Sequence, residues 1–249
     1  YILHNVWNSK YNNLIKNKKD IIINIYENIV KDNNYIIFNN LNLHYYKPGK
    51  IVLSLPWATD LTPDEIQINI NNFDKDKLEK KAYYVGSKWK DNNCKYINTI
   101  EILDKFEEIC KERNIFYRHK TNISIEENQK FISTSRYSPV FQMPWQTIHG
   151  YIPCRIFKNI SYGGMPVTNN KEVYELFDEK ILFNDNLDTL IDDIDNFIEK
   201  HNNLYFKDIM KNVQENHTYL NRINAYLDFF VYVSKLENIN FDFNYNDNC

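Results

Sequence analysis

The chain has 249 residues, of which 43% are hydrophobic and 25% charged, a composition that belongs to folded globular proteins and a length sufficient to bury a substantial core. A formal net charge of -3 excludes general nucleic-acid binding, because there is no surplus of cations to replace phosphate counterions. No apolar run approaches the roughly 20 residues needed to cross a bilayer, which excludes a membrane span.

The first strand is predicted over 1–3, an amphipathic helix over 7–15 on Trp7, Tyr11, Leu14 and Ile15, and a second strand over 21–26, with further strands over 35–38 and 51–55. This opening is too short for a whole nucleotide-binding fold. The chain also begins Tyr-Ile-Leu-His-Asn, so residues 1–56 are expected to be the last part of an amino-terminal α/β domain. Thr62-Pro-Asp-Glu65 is a strong helix start, with proline in the first turn and acids beside it. The charged run 74–81 reads as solvated, and 57–81 as a hinge and connector. A second α/β unit is predicted over 82–215: a strand from Tyr83, a turn at Gly86, a helix over 97–113 with an apolar stripe of Ile97, Ile100, Leu103, Phe106 and Cys110, and a strand over 115–118. A short helix over 126–131 and a short strand over 140–142 follow. Beyond them, Leu187, Leu190, Ile191, Ile194, Phe197 and Ile198 mark another amphipathic helix. Residues 216–249 are read as a long aromatic-rich helix over 219–233 and a polar tail, packing back across the domains.

Cys94, Cys110, Cys154 and Cys249 lack paired metal-site spacing and read as free thiols of a reducing compartment, so a cytoplasmic location is expected. The N-x-Ser/Thr sequons at Asn122, Asn159 and Asn216 are read as chance in so asparagine-rich a chain. No Asp-x-Asp stands at a strand end. Asp192-Asp193-Ile-Asp195 and the acids of 242–247 read as a helix face and a polar tail, so no metal and no cofactor is expected.

The segment 151–177 carries the most chemistry. Pro153 and Cys154 start a helix whose apolar face is Ile156, Phe157 and Ile160, and Gly163-Gly164 stop it where positive φ is cheap. Met165 to Thr168 then form a buried strand, which delivers Thr168, Asn169 and Asn170 to its carboxyl end, the edge at which open α/β sheets bind ligands. Arg155 adds a fixed cation where the helix N-terminus already favours an anion. The residues point to a phosphate site.

Arg155-Ile-Phe, the Gly163-Gly164 turn, Pro166-Val-Thr-Asn169 and Glu175-Leu-Phe177 together resemble the donor-binding half of GT-B glycosyltransferases, particularly the CgeB-like spore-protein group. Tyr83-Tyr-Val-Gly-Ser-Lys88 is similar to the first strand and glycine turn of that domain, and Leu55-Pro-Trp-Ala-Thr-Asp60 to the hinge before it. The resemblance covers roughly residues 50 to 200. It implies an α/β, Rossmann-like GT-B architecture: a carboxy-terminal donor-binding domain and part of an amino-terminal Rossmann-like domain. It further implies metal-independent transfer of a sugar from a nucleoside-diphosphate sugar to a protein, glycan or small-molecule acceptor. The implied donor and phosphate residues are Gly86, Ser87, Arg155, Gly163, Gly164, Thr168 and Asn169, with Glu175, or in a competing register Glu172, on the ribose. His4, at a predicted strand end, has the pKa range of a general base or serves structurally, and His149 contacts a sugar or phosphate or caps a loop; these two are the candidate catalytic residues.

The chain departs from the family where many retaining members carry two glutamates: the matching positions are Gly150 and Lys158. A non-catalytic GT-B nucleotide-binding or interaction module therefore stays open as an alternative. So does an exostosin-like or fucosyltransferase-like donor domain.

Overall fold

A computed structural model describes residues 35–39, 51–88, 99–148 and 151–236. The elements predicted over 1–3, 7–15 and 21–26, and with them His4 and His149, lie outside these residues. Strands β1 (Tyr35–Asn39) and β2 (Ile51–Leu55) pair in parallel, Tyr35 opposite Ile51.

The chain then enters helix α1 (Pro63–Asn72) through a complete capping box: Thr62 accepts from the Glu65 amide, and the Glu65 carboxylate accepts from the Thr62 amide. Ile66 and Ile70 of α1, with Leu61, Phe73 and Leu78, join the same hydrophobic core as the strands and helices after them. The segment expected as a solvated connector thus differs in two ways. Residues Lys75–Lys77 form a 3-10 turn whose Lys75 ammonium donates to the carbonyls of Ile198 (2.8 Å) and His201 (2.7 Å), satisfying the last carbonyls of a helix. Strand β3 begins at Glu79, before the expected boundary, and runs Glu79–Val85. Charge density misled here because lysine can bury its stem and still pair its head.

Ala82, Tyr83 and Tyr84 of β3 are buried in succession, as suits a central parallel strand covered on both faces. Helix α2 (Thr99–Glu112) buries Leu103, Phe106 and Cys110, and β4 (Phe116–Lys120) pairs in parallel with β3. Helix α3 (Ile125–Ser133) is capped by Ser124, and β5 (Ser135–Tyr137) pairs with the other edge of β3. The short helix α4 (Pro144–Ile148) and the helix α5 (Cys154–Ser161) lead to β6 (Val167–Thr168), then to α6 (Lys171–Leu176) and β7 (Leu182–Phe183), which pairs in parallel with β6. Val140 joins the two sheets through a parallel bridge to Thr168, donating to the Val167 carbonyl at 3.0 Å. The spatial order is therefore β4-β3-β5-β6-β7, all parallel. The connections run from β3 first to one side and then to the other, the reversal that defines a topological switch point in a doubly wound α/β sheet.

Helices α7 (Leu187–Lys200), α8 (Asn203–Asn216) and α9 (Tyr219–Leu236) complete the described chain. Helix α9 returns to the segment before α1. Thr59 bridges Thr218, and buried Arg222 donates to the carbonyls of Pro56 (2.8 Å), Trp57 (3.1 Å) and Asn216 (2.9 Å). No helix of the described residues is long and apolar enough to cross a membrane.

Candidate anion site at the switch point

Strand β3 ends at Tyr84-Val85-Gly86, and these residues line a cavity of about 440 Å³ together with residues 121–123 after β4, residues 141–143 after β5, and the start of α5. This is the carboxyl edge of the sheet at its switch point, the place expected for a ligand.

Gly86 is held at both ends: its amide donates to the Lys120 carbonyl (3.0 Å), and its carbonyl accepts from His119 Nε2 (2.6 Å). Its φ of +148° strains any L side chain, and a Cβ there would overlap the Arg155 guanidinium. The glycine is therefore the vacancy in which the arginine lies. Arg155, in the first turn of α5, donates from Nε to the Val85 carbonyl (2.8 Å) and from Nη1 to the Tyr84 hydroxyl (2.6 Å), and its Cζ stands 4.3 Å from the Tyr84 ring centroid. Strand and helix together fix the cation at the cavity wall. Pro153, the residue before the helix, gives no side-chain cap to the first-turn amides, so those donors reinforce the same preference for an anion.

Lys158, one turn on, also lines the cavity. Its ammonium lies 2.9 Å from the Asp60 carboxylate, whose other oxygen accepts from the Tyr162 hydroxyl at 2.6 Å. Burial opposes the Lys158 charge, but Asp60, Cys154 and the hydrogen bond to Asp60 offset it and raise the pKa above the ordinary lysine value. Burial, and then the Asp60 charge, raise that of Tyr162, which stays a neutral donor. Among the described residues, Arg155 and the Asp60-paired Lys158 line this cavity and no carboxylate does.

A second cavity of about 770 Å³ adjoins the first, with Phe141 and Gln142 forming part of both walls. It lies over the carboxyl ends of β6 and β7, and Asn169, Glu172, Phe183 and Asn184 contribute to it.

The structure brings together Gly86, Ser87 and Arg155 of the predicted set: Ser87 is exposed at the rim of the first cavity. The others have different places. Gly163 (φ +88°) and Gly164 end α5 in a Schellman arrangement, Gly163 donating to the Ile160 carbonyl (3.0 Å) and Gly164 to the Asn159 carbonyl (2.8 Å). Both are buried, and a Cβ on Gly164 would strike Ile132 and Ser138, so they serve helix termination and close packing and line neither of these cavities. Thr168 is buried within the sheet, its hydroxyl accepting from the Asn170 amide at 3.1 Å. Asn169 spends both ends of its amide on the Gln142 backbone, accepting from its N–H and donating to its C=O, each at 2.9 Å. Glu175 is exposed on α6, 3.8 Å from Lys171, and lines neither cavity, whereas Glu172, the competing register, lines the second. Asn170 caps α6, its Oδ1 accepting from the Glu172 amide at 3.0 Å, which seats the first turn, and Glu172 with it, beside the second cavity.

Sequence reasoning missed Lys158, Tyr84 and Gln142. Lys158 was available as the i+3 neighbour of Arg155 on one helix face. No local signal marks Tyr84 or Gln142. Of the sequons, Asn159 is buried and donates to the Ser138 carbonyl at 2.9 Å, so it is no glycan acceptor in the folded chain. Cys110 and Cys154 are free thiols. Comparison of the chain with protein-family models, curated proteins and solved structures gives no match.

Proposed function

We propose that this chain is the donor-binding part of a GT-B glycosyltransferase, and that the cavity at the end of β3 takes the diphosphate of a nucleoside-diphosphate sugar. The observation that carries this reading is a switch-point cavity with Arg155 and Lys158 in its wall and, among the described residues, no carboxylate. A diphosphate needs donors and positive charge held at fixed positions, and Arg155 is locked by a carbonyl, a hydroxyl and an aromatic face rather than neutralised by an acid.

In glycosyl transfer the bond from the anomeric carbon to the diphosphate oxygen breaks, and negative charge develops on the departing group. Arg155 and the first amides of α5 would meet that charge with donors already in place, which is how preorganised sites lower a barrier. Ser87 at the rim would add a hydroxyl donor. Glu172, which lines the second cavity, would read the ribose hydroxyls in place of Glu175. Lys158 stands where many retaining enzymes of the family have a glutamate, and its ammonium is paired with Asp60. The free thiols of Cys110 and Cys154 suit a reducing, cytoplasmic setting.

A second reading has its own observation: among the described residues, neither a carboxylate nor a histidine lines the first cavity. On that reading the chain binds a nucleotide without turnover. A thermal-shift screen against UDP, GDP, CMP and their sugar conjugates, followed by a donor-hydrolysis assay with whichever ligand stabilises, tests both. Stabilisation with donor cleavage supports the transferase; stabilisation without cleavage supports the binding module; no stabilisation by any nucleotide contradicts both.

A further inference from the structure

Helix α5 has no side-chain cap at Pro153, two residues after Tyr151. Three bonds fix the Tyr151 backbone. Its N–H donates to the Gln146 carbonyl at 2.8 Å, and its carbonyl accepts two side-chain amides, from Gln142 (2.6 Å) and Asn170 (2.9 Å). These amides arrive from different strands of the sheet, Gln142 from beyond β5 and Asn170 from the end of β6, and they are 3% and 1% exposed. Asn170 also caps α6 through Oδ1, which accepts from the Glu172 amide at 3.0 Å. Gln142 is held in turn by the paired bonds from Asn169.

Simple stabilisation does not explain Gln142. Its Oε1 is buried without a hydrogen-bond partner among the described residues, and an apolar side chain of the same size would fill the space without burying an unpaired acceptor. What the amide adds is a directed donor to one carbonyl, four residues before Arg155. We infer that Gln142 and Asn170 are positioning residues of the anion site: by clamping the Tyr151 carbonyl they set where the first turn of α5, and with it Arg155, stands against the end of β3. This rests on the anion-binding reading of the cavity. It gives Asn169 a part as well, as the side chain that holds Gln142.

Two substitutions separate the clamp from other roles. Asn170→Ser keeps an oxygen able to cap α6 but is too short to reach the Tyr151 carbonyl, and Gln142→Met keeps the volume and loses the donor. In each single variant the carbonyl retains one amide, so the melting temperature should stay close to that of the parent chain. The probe is inorganic pyrophosphate, titrated calorimetrically into the 249-residue chain. Each variant should bind it about five- to tenfold more weakly, the effect of losing one directed hydrogen bond, and the double variant more weakly still. Parent-like affinity in both variants would overturn the clamp while leaving the anion site standing. Loss of affinity only in step with loss of melting temperature would overturn it too, by showing a purely structural role. If Asn170→Ser does not fold, Gln142→Met decides alone. Failure of the parent chain to bind pyrophosphate or any nucleoside diphosphate would remove the anion site itself, and the clamp with it.

Discussion

The Arg155 guanidinium lies along the Tyr84 side chain, its Cζ 4.3 Å from the ring centroid and its Nη1 2.6 Å from the hydroxyl. One residue thus supplies a flat surface and an acceptor to the same cation, and the Val85 carbonyl takes a third contact at 2.8 Å. A lysine lacks the planar fork that lies on the ring while donating to both oxygens. Arg155→Lys keeps the charge, so it is expected to lower nucleoside-diphosphate affinity about tenfold, measured by calorimetry, with little change in melting temperature. Unchanged affinity would show that charge alone matters at this position.

Gly86→Ala tests the same arrangement from the strand. The added methyl would occupy the place of the guanidinium at a φ of +148°, so Arg155 must leave its seat. Backbone strain of this kind costs about 1–3 kcal/mol. The expected result is a modest fall in melting temperature together with a loss of anion affinity comparable to that of Arg155→Ala. Full retention of affinity would place the ligand elsewhere.

Cys154 stands in the first turn of α5 and lines the same cavity, while Cys110 is fully buried with its thiol pushed up to about 12, mainly by burial. In a Cys94→Ser, Cys249→Ser background, an alkylating reagent should therefore label Cys154 selectively. A nucleoside diphosphate in the cavity should slow that labelling. Equal rates with and without a saturating nucleotide would contradict the location of the site.

His217 joins α9 to the core: it stacks on Phe157 with centroids 4.6 Å apart, and its Nδ1 accepts from Arg222 at 3.0 Å. Burial, and then the Arg222 charge, lower its pKa from 6.5 to about 3. Between these two values the unfolded chain binds a proton that the folded chain refuses, so this residue makes stability fall as pH falls, by about 1.4 kcal/mol per pH unit across the window. His217→Asn, which can keep an acceptor towards Arg222, should reduce the acid-side slope of the melting temperature measured between pH 6.5 and pH 4. An identical slope in the variant would assign acid sensitivity to the carboxylates.

The α/β alternation, the β3 strand with its glycine turn, and the α5 helix with its Gly-Gly stop were legible because each is specified locally, by periodicity, by a positive-φ residue and by an arginine at a helix start. Strands β1 and β2 were legible for the same reason, as short apolar runs between turn residues. The two-residue β7, the helix α8 and the part of β3 within a lysine-rich run were not, since their place is decided by neighbours distant in sequence, whereas β6 was legible as the end of the run from Met165 to Thr168. The site divides along the same line. Arg155 and Gly86 announced themselves, but the Tyr84 seat, the Asp60-Lys158 pair and the Tyr151 clamp join residues far apart in the chain, and only the fold brings them together. Thr168 and Asn169 were named from their strand-end position, yet the Thr168 side chain is buried in the sheet and the Asn169 amide is bonded at both ends to the Gln142 backbone.

The most direct test of the account is calorimetric titration of UDP and GDP into the chain and into its Arg155→Ala variant, each with and without EDTA. Saturable binding that survives the chelator and weakens by about one to two decades in the variant, with the melting temperature preserved, is the predicted result. Absence of binding to the parent chain, or equal affinity in parent and variant, would contradict the assignment of the Arg155 cavity as a diphosphate site.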